Sequence, residues 1–411
     1  MQKSDFYREA RRDLPGPLHG IRVLEATTTW AGPMCSCLLA DFGAEVTKVE
    51  HPQGEISRRS PPFLPGTEPP QSFMHATVNR NKRSLSLDLR DERGRDIFLQ
   101  LARASDIVVE NFKPGTMSRW GIGFEEVRRV RPDIVYVSIS GYGQFGPDSD
   151  RVGYDPLAQA ESGFLSLNGD PAGEPVKSPT FLADDLAGLH GALAALAALR
   201  HRDATGEGQH IDVALLDSML FQSTGYLTLG AMGVDLPRLG NEFRIAAPAR
   251  TFACRDGSVM AGVLLDSHWK TLAGVIGKPE LADHPDFATA PARIARRKQV
   301  NQILADWIAQ QTVAGVLARF KDAGIPAAAV RTYADAARDP HVNDRDMLQR
   351  VSGGAGESET PPITGPAAKF SRTPTKIRTS APGLGAHNDE ILEELGIDGE
   401  QRRALREAGV I

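Results

Sequence analysis

Residues 21–50 read IRVLEATTTWAGPMCSCLLADFGAEVTKVE, and the reading of this stretch decides the fold. Ile21-Arg-Val-Leu-Glu25 is a short apolar run and reads as a strand. Residues 26–31 form a polar loop. Pro33 then suits the first turn of a helix, where its missing N–H is no loss. That helix should run to about Phe42, with Gly43 just past its end. Residues 45–50, EVTKVE, return as a second strand. Strand, helix and strand in this order make a parallel βαβ unit.

The same alternation extends outward from this unit. Residues 84–89, 106–110 and 134–140 read as further strands, and residues 91–104 as a helix opened by acidic side chains. The expected fold class is α/β, with a doubly wound, Rossmann-like sheet. Residues 52–70 are rich in Pro and Gly and should be a long loop. Residues 184–200 form a helix with Asp184 or Asp185 at its N-cap. Its body, LAGLHGALAALAAL, is apolar nearly all round and is predicted to be buried. Residues 205–208, TGEG, end it, and residues 210–215 return as a strand. Beyond residue 225 the composition changes. Residues 225–250 are Gly-rich without clear periodicity, and residues 251–263 read as a hairpin turning at Asp256-Gly257. Helical stretches follow at 268–276, 294–311 and 313–323, a smaller α+β region. Residues 327–331 and 334–338 lead back, residues 352–362 are loop, and residues 388–409 are a polar helical tail.

Composition bounds the function. The chain has 411 residues, which at about 150 per domain predicts two or three domains. Its net charge of −5 argues against nucleic acid as a partner. The most apolar run, residues 186–199, is shorter than the ~18 residues of a membrane span, so no membrane is expected. No apolar h-region follows the N-terminus, and the location is expected to be cytoplasmic. The three cysteines, Cys35, Cys37 and Cys254, suit a reducing compartment and form no disulfide framework. Cys35-Ser-Cys37 has no partner cluster, so buried small residues on a helix are expected there, and no metal site.

Gly141-Tyr-Gly-Gln-Phe-Gly146 matches G-x-G-x-x-G, but Pro147-Asp-Ser-Asp-Arg151 follows it. The dinucleotide fingerprint needs a helix at that point, whose amides meet the pyrophosphate, so the match is rejected. No P-loop, H-E-x-x-H or G-x-S-x-G is present. Carboxylates are therefore the natural candidates for chemistry. Asp184-Asp185 stands at a helix start, where unpaired N–H groups stabilise an anion. Neighbours on a helix diverge, so the two are not expected to act as a coupled dyad. From placement alone, the plain reading is that both are caps. Basic residues cluster in Asn79-Arg-Asn-Lys-Arg83 before a strand and in Asn111-Phe-Lys113 after one, with Arg119 beyond. Lys82, Lys113 and Arg119 could meet phosphates there, with Phe112 or Trp30 against a base; a solvated basic loop is the alternative.

Taken together, GIRVLEATTTWAGPMCSCLLADFGAEVTKVEHP, NRNKRSLSLDL, ENFKPGTMSRWGIGFEEV, PDIVYVSISGYGQFGP, GYDPLAQAESG, DDLAGLHGALAALAALRHRDATGEGQHIDVALLD and LGAHNDEILEELG resemble the class III CoA-transferases. That group holds formyl-CoA transferase, carnitine CoA-transferase and α-methylacyl-CoA racemase. The matches span about residues 18–220 and recur near 385–397. The resemblance implies a Rossmann-like large CoA-binding domain built from both chain ends (1–222 and 331–411), a small α+β domain (223–330), and an interlocked homodimer. It implies Asp184 as the catalytic nucleophile, since Gly188 fixes the register of D-x-x-x-G. It also implies coenzyme A or an acyl-CoA as substrate, with no tightly bound cofactor. The implied CoA contacts are Trp30, Ala31, His51, Asn79, Arg80, Asn81, Lys82, Asn111, Phe112, Lys113, Arg119, Val152, Gly153, Tyr154 and Asp155. Two departures matter: His51 stands where some members carry Arg, and Trp30 where formyl-CoA transferase carries Gln.

The implied partners are an acyl-CoA donor and a carboxylic-acid acceptor, with CoA passing through aspartyl-anhydride and aspartyl-CoA intermediates. Each step exchanges activated acyl groups of similar energy, which fits the lack of ATP and metal motifs. Residues 225–240 could supply a covering loop, and Arg244 or Arg250 could bind a second carboxylate. Two alternatives are a racemase on the same fold and a non-catalytic CoA-binding protein. The racemases place a His in a G-H-D context. Here the residues are Gly153-Tyr154-Asp155, and a Tyr with a pKa near about 10 is a poor base.

Overall fold

The computed structural model describes residues 1–351 and 360–411. Six strands form one parallel sheet: β1 (Arg22–Ala26), β2 (Glu45–Glu50), β3 (Lys82–Ser86), β4 (Ile107–Glu110), β5 (Val135–Ser140) and β6 (Gln209–Ala214). Their order is β3-β2-β1-β4-β5-β6. The order reverses between β1 and β4, so successive crossovers lie on opposite faces. Every residue of β4 and β5 is buried, as expected of strands covered on both faces.

On one face the Ala31–Asp41 helix and the long Leu182–Thr205 helix pack with Val23, Val46, Val109 and Ile139. On the other, the Glu92–Arg103 helix packs Ile97, Phe98 and Leu101 against Leu24, Leu85 and Val108. Asp91 caps that helix by accepting the Arg93 N–H. The polar tail adds Ile391, Leu392 and Leu405 to the same face. It forms two helices, Asn388–Glu394 and Gly399–Glu407, because Gly396 turns left-handed (φ +77°) between them.

Three expectations need correction. The strand expected at 84–89 is Lys82–Ser86: pairing with β2 starts at Val46↔Lys82, and the apolar alternation of Leu85, Leu87 and Leu89 runs past its end. The helix expected at 184–200 runs from Leu182 to Thr205 and ends at Gly206 (φ +78°). At that length it is long and apolar enough to cross a membrane by those criteria alone. It is buried along Ala183, Ala187, Gly188, Gly191, Ala192, Ala195, Ala198 and Leu199 only. Leu189 and Leu193 stay 51% and 63% exposed, so the helix is not buried all round. Its small residues seat one face, and among the described residues the stretch carrying Leu189 and Leu193 stays open.

The edge strand β3 is clasped by a distant segment. Asn81 N–H donates to Thr379 O, His387 N–H to Ser84 O, and Ser86 N–H to Asn388 Oδ1, the last at 2.9 Å. Unpaired edge groups are thereby satisfied.

The chain divides into two compact units, Met1–Phe164 with Lys177–Met232 and His341–Ile411, and Leu165–Val176 with Gly233–Pro340. The first holds the parallel sheet. In the second, β7 (Ala249–Cys254), β8 (Gly257–Gly262) and β9 (Ala327–Ala329) form an antiparallel sheet. The β7–β8 hairpin turns at Arg255-Asp256, next to the expected position. Phe252, Trp269, Leu304 and Phe320 fill the core. The helix expected at 294–311 is two, Ala290–Ala295 and Arg297–Ile308, broken at Arg296. The 225–250 stretch contains one short helix, Tyr226–Ala231. Most of the loop expected at 352–362 lies outside the described residues.

Candidate active site

In an open α/β sheet the crevice lies beyond the strand ends where the order reverses, here between β1 and β4. The loop after β1 carries Thr27–Trp30, and the loop after β4 carries Asn111. Asn111 ties the two loops together: its Oδ1 accepts the Thr28 N–H at 2.8 Å and its Nδ2 donates to Thr28 O at 2.9 Å. Trp30 then opens the Ala31–Asp41 helix as an N-cap without a side-chain cap bond.

Asp184 is set beside this loop by packing of helix on helix. A Cβ on Gly188 would lie 2.9 Å from both Ala31 O and Met34 Cβ, so only glycine lets the two helices approach this closely. Neither Asp184 nor Asp185 is the N-cap, contrary to expectation. Phe181 holds that position, and both carboxylates stand in the first turn. The cap comes from elsewhere in the chain: Asp155 Oδ1 accepts the Ala183 N–H at 2.7 Å, and Gln159 Nε2 holds Asp155 Oδ2 at 2.7 Å. Asp185 accepts the Trp30 indole N–H at 2.7 Å. Among the described residues Asp184 alone of the three accepts no hydrogen bond in its side chain. Burial, and then the charges of Asp155 and Asp185, push its pKa up to about 7. Burial raises Asp155 and Asp185 as well, while their donors oppose the rise.

The remaining candidates divide into outward and inward groups. Lys113 and Arg119 are exposed, and Arg119 Nη2 donates to Thr116 Oγ1 at 2.8 Å. Val152 and Tyr154 are exposed at about 60% each, next to Gly153, whose Cα touches the Gly141 backbone. The Gly141 and Gly153 contact is the structural use of the glycine that opens the rejected dinucleotide match. His51 is part-buried, with Arg90 Nη2 2.6 Å from its Nε2.

Residues 79–82 turn inward. Lys82 Nζ is buried 3.0 Å from Glu25 and donates to Pro33 O at 2.9 Å and to Asn79 Oδ1 at 3.1 Å. Arg80 pairs with Asp41 at 2.6 Å, and Asn81 Nδ2 donates to Asp41 at 2.8 Å. The expectation that the Lys82 ammonium faces a phosphate is therefore corrected: exposing it would leave Glu25 without that partner. The aromatic expectation changes too. The Trp30 ring is buried, 5.0 Å from Phe181 between centroids and 6.4 Å from Phe73, and Phe112 packs edge-on against Trp120.

Sequence reasoning missed the ionic cluster beneath the loop. Glu25 and Lys48 are register partners across β1 and β2, with Lys48 Nζ 3.5 Å from Glu25 and 4.0 Å from Glu55. Burial pulls the Lys48 pKa down, but Glu25, Glu55 and Glu50 outweigh it and hold the ammonium charged. Lys48 Nζ also donates to Thr27 O at 2.9 Å. The available signal was a Glu and a Lys at matching interior positions of two neighbouring strands. No three His, Cys, Asp or Glu side chains among the described residues are grouped as metal ligands.

Residues 18–388 match the family model described as CoA-transferase family III. The chain is 39% identical over 394 residues to a succinyl-CoA:mesaconate CoA-transferase of Haloarcula hispanica, covering 93% of this chain and 97% of that protein. It is 38% identical over 401 residues to the succinyl-CoA–L-malate CoA-transferase beta subunit of Chloroflexus aurantiacus, covering 96% and 98%. Among solved structures, a CAIB/BAIF family protein from Brucella suis superposes with a TM-score of 0.83 at 34% identity, covering 93% of this chain and all of that one. The chain belongs to CoA-transferase family III and is a CoA-transferase, an enzyme whose substrates are CoA thioesters.

Proposed function

We propose that this enzyme moves CoA from a dicarboxylic acyl-CoA, succinyl-CoA first among candidates, to a second dicarboxylic acid by covalent catalysis on Asp184. The observation that carries the reading is the state of Asp184: part-buried, unbonded, raised to about 7, and flanked by two carboxylates that are both engaged. A carboxylate made more basic and left free of donors is a better nucleophile. Its attack on the donor carbonyl forms the aspartyl anhydride and expels CoA thiolate. The thiolate returns to the aspartyl carbonyl, giving aspartyl-CoA and the free donor acid. The acceptor carboxylate attacks that thioester, forming a second anhydride and again releasing thiolate. The thiolate then attacks the acceptor's carbonyl, which yields the new acyl-CoA and restores Asp184. No proton is gained or lost over the cycle.

The names of the Haloarcula and Chloroflexus relatives support the dicarboxylate class. Exposed Lys113 and Arg119 support a phosphate-binding role on the loop after β4. We assign CoA contacts to these two and to residues 152–154, where Val152 and Tyr154 are exposed, and not to the buried Trp30 ring or to buried Ala31. An interlocked homodimer is proposed from the family resemblance, and a cytoplasmic location from the three free thiols, two of them buried.

The test is chemical. Hydroxylamine attacks anhydrides and thioesters but not free carboxylates. Protein incubated with succinyl-CoA and hydroxylamine should carry one hydroxamate, at Asp184, and lose activity. Asp184→Asn should fold, bind CoA and lose more than the ~10²–10⁴-fold expected of a lone acid or base. An Asp184→Asn protein, checked for deamidation, that transfers CoA at near wild-type rate refutes the mechanism.

A further inference from the structure

The loop that meets the nucleophile helix contains a conformation its own residues disfavour. Thr29 has φ +67°, a left-handed backbone in a β-branched residue. Such positions persist only where the surroundings over-determine them. Three side chains from three other segments hold this loop. Lys48, on β2, fixes Thr27 O; Asn111, after β4, fixes Thr28 at both backbone groups. Glu55, in the Pro- and Gly-rich stretch, accepts the Thr29 N–H at 2.9 Å through Oε2.

Glu55 is itself tightly held. It is 7% exposed, receives the Ser57 hydroxyl on Oε1, accepts the Ser57 N–H at 3.2 Å, and lies 3.8 Å from His75 Nδ1 and 4.0 Å from Lys48 Nζ. Burial pushes its pKa up, but the neighbouring His75, the Lys48 ammonium, Ser57 and the Thr29 N–H outweigh burial and hold the group ionised. The anion is thus a fixed acceptor aimed at one amide of the strained residue. The next residue, Trp30, carries the constraint onward. Its indole N–H donates to Asp185, in the first turn of the helix that bears Asp184.

We propose that Glu55 is a positioning residue for acyl transfer: its carboxylate holds Thr29 left-handed, which sets Trp30 against Asp185 and so fixes the turn that carries Asp184. Glu55 touches no reacting atom and acts only through Thr29 and Trp30. The proposal rests on Asp184 as nucleophile and adds the element that orients it.

Kinetics with succinyl-CoA as donor and mesaconate as acceptor, together with hydroxylamine labelling from succinyl-CoA, test it. Glu55→Ala removes the acceptor and lets Thr29 relax. A shift of about 1 Å at a reacting group lowers kcat by about 10²-fold, with KM for succinyl-CoA within about 3-fold of wild type. Glu55→Gln keeps an oxygen for the Thr29 N–H and should stay within about 10-fold of wild-type kcat. The discriminating variant is Thr29→Gly in the Glu55→Ala background. Glycine takes positive φ without an acceptor, so kcat should recover by about 10-fold. A carboxylate needed only for stability would not be replaced by a glycine at position 29. Glu55→Ala with wild-type kcat and a wild-type labelling rate at Asp184 overturns the role of Glu55 and leaves the nucleophile standing. Absence of any Asp184 hydroxamate in the wild type overturns the nucleophile instead. Should Glu55→Ala alone not fold, the double variant decides: folded and active supports the proposal, unfolded or inactive overturns it.

Discussion

Gly188→Ala separates the position of the nucleophile from the stability of the fold. A methyl group at residue 188 would meet Ala31 O and Met34 Cβ at 2.9 Å and Met34 Cγ at the same distance. Carbon atoms rest at about 3.5–4.0 Å, so the Ala31–Asp41 and Leu182–Thr205 helices must part by about 0.6–1 Å. Alanine in a helix interior contributes about 1 kcal/mol over glycine, and overpacking costs about 1–3 kcal/mol. The net destabilisation is then about 0–2 kcal/mol, a fall in Tm of no more than about 8 °C. Activity has no such compensation. Residue 188 lies one turn beyond Asp184, so the same displacement moves Asp184 relative to the Thr27–Trp30 loop and lowers kcat by about 10²-fold. Calorimetry and steady-state transfer of CoA, followed by chromatography of the thioesters, measure the two quantities on one preparation. Gly274→Ala is the control. Its Cβ would meet nothing within 4 Å, so it should raise stability by about 1 kcal/mol without altering kcat. A folded Gly188→Ala enzyme with undiminished kcat refutes the claim that this close approach positions Asp184.

Asp184 must be ionised to attack, and its pKa stands at about 7, so the rate of the acylation half-reaction should fall about tenfold per pH unit below that value; a profile from pH 5 to 9 checks this. Glu110 is buried at the end of β4, where burial lifts its pKa to about 7 against the Ser138 hydroxyl and the Phe112 N–H, which is 2.8 Å away. A folded-state value above the unfolded one makes stability highest at low pH and loses it as pH rises through 7. Urea midpoints at pH 6 and pH 8.5 should therefore differ less in Glu110→Gln than in the wild type. Lys82→Met leaves Glu25 buried with Lys48 as its remaining cation, 3.5 Å away, and should destabilise the fold by about 3 kcal/mol, near the low end for breaking a buried pair, as read by denaturant unfolding.

The parallel sheet was legible because its signals are local. Residues 45–50 alternate and are bounded by Gly43 and Pro52, and the observed β2 has those same limits. Asp91 opened its helix and Gly206 ended the other by short-range chemistry that one sequence window contains. What failed depended on distant partners. Residues 79–83 read as a basic loop, because Glu25 and Asp41, which neutralise Lys82 and Arg80, lie about 40–60 residues earlier. Asp184 and Asp185 read as caps because the true capping carboxylate, Asp155, is 28 residues upstream of Ala183. Glu55 carried no signal, since its function is to accept one amide of a residue 26 positions earlier. The long helix was misjudged for another reason: composition reports how apolar a helix is, and not how many of its faces a single chain can cover.

The clasp on β3 sets an order of events during synthesis. The edge strand leaves the ribosome with its outer amides and carbonyls bare, and the groups that satisfy Ser84 and Ser86 are made about 300 residues later. At about 5–20 residues per second, that interval lasts roughly 15–60 seconds. Throughout it the nascent sheet presents an open template to neighbouring chains. Truncated products that stop between Ala214 and Thr379 should accordingly pellet with aggregates, even though every strand of the parallel sheet is present in them.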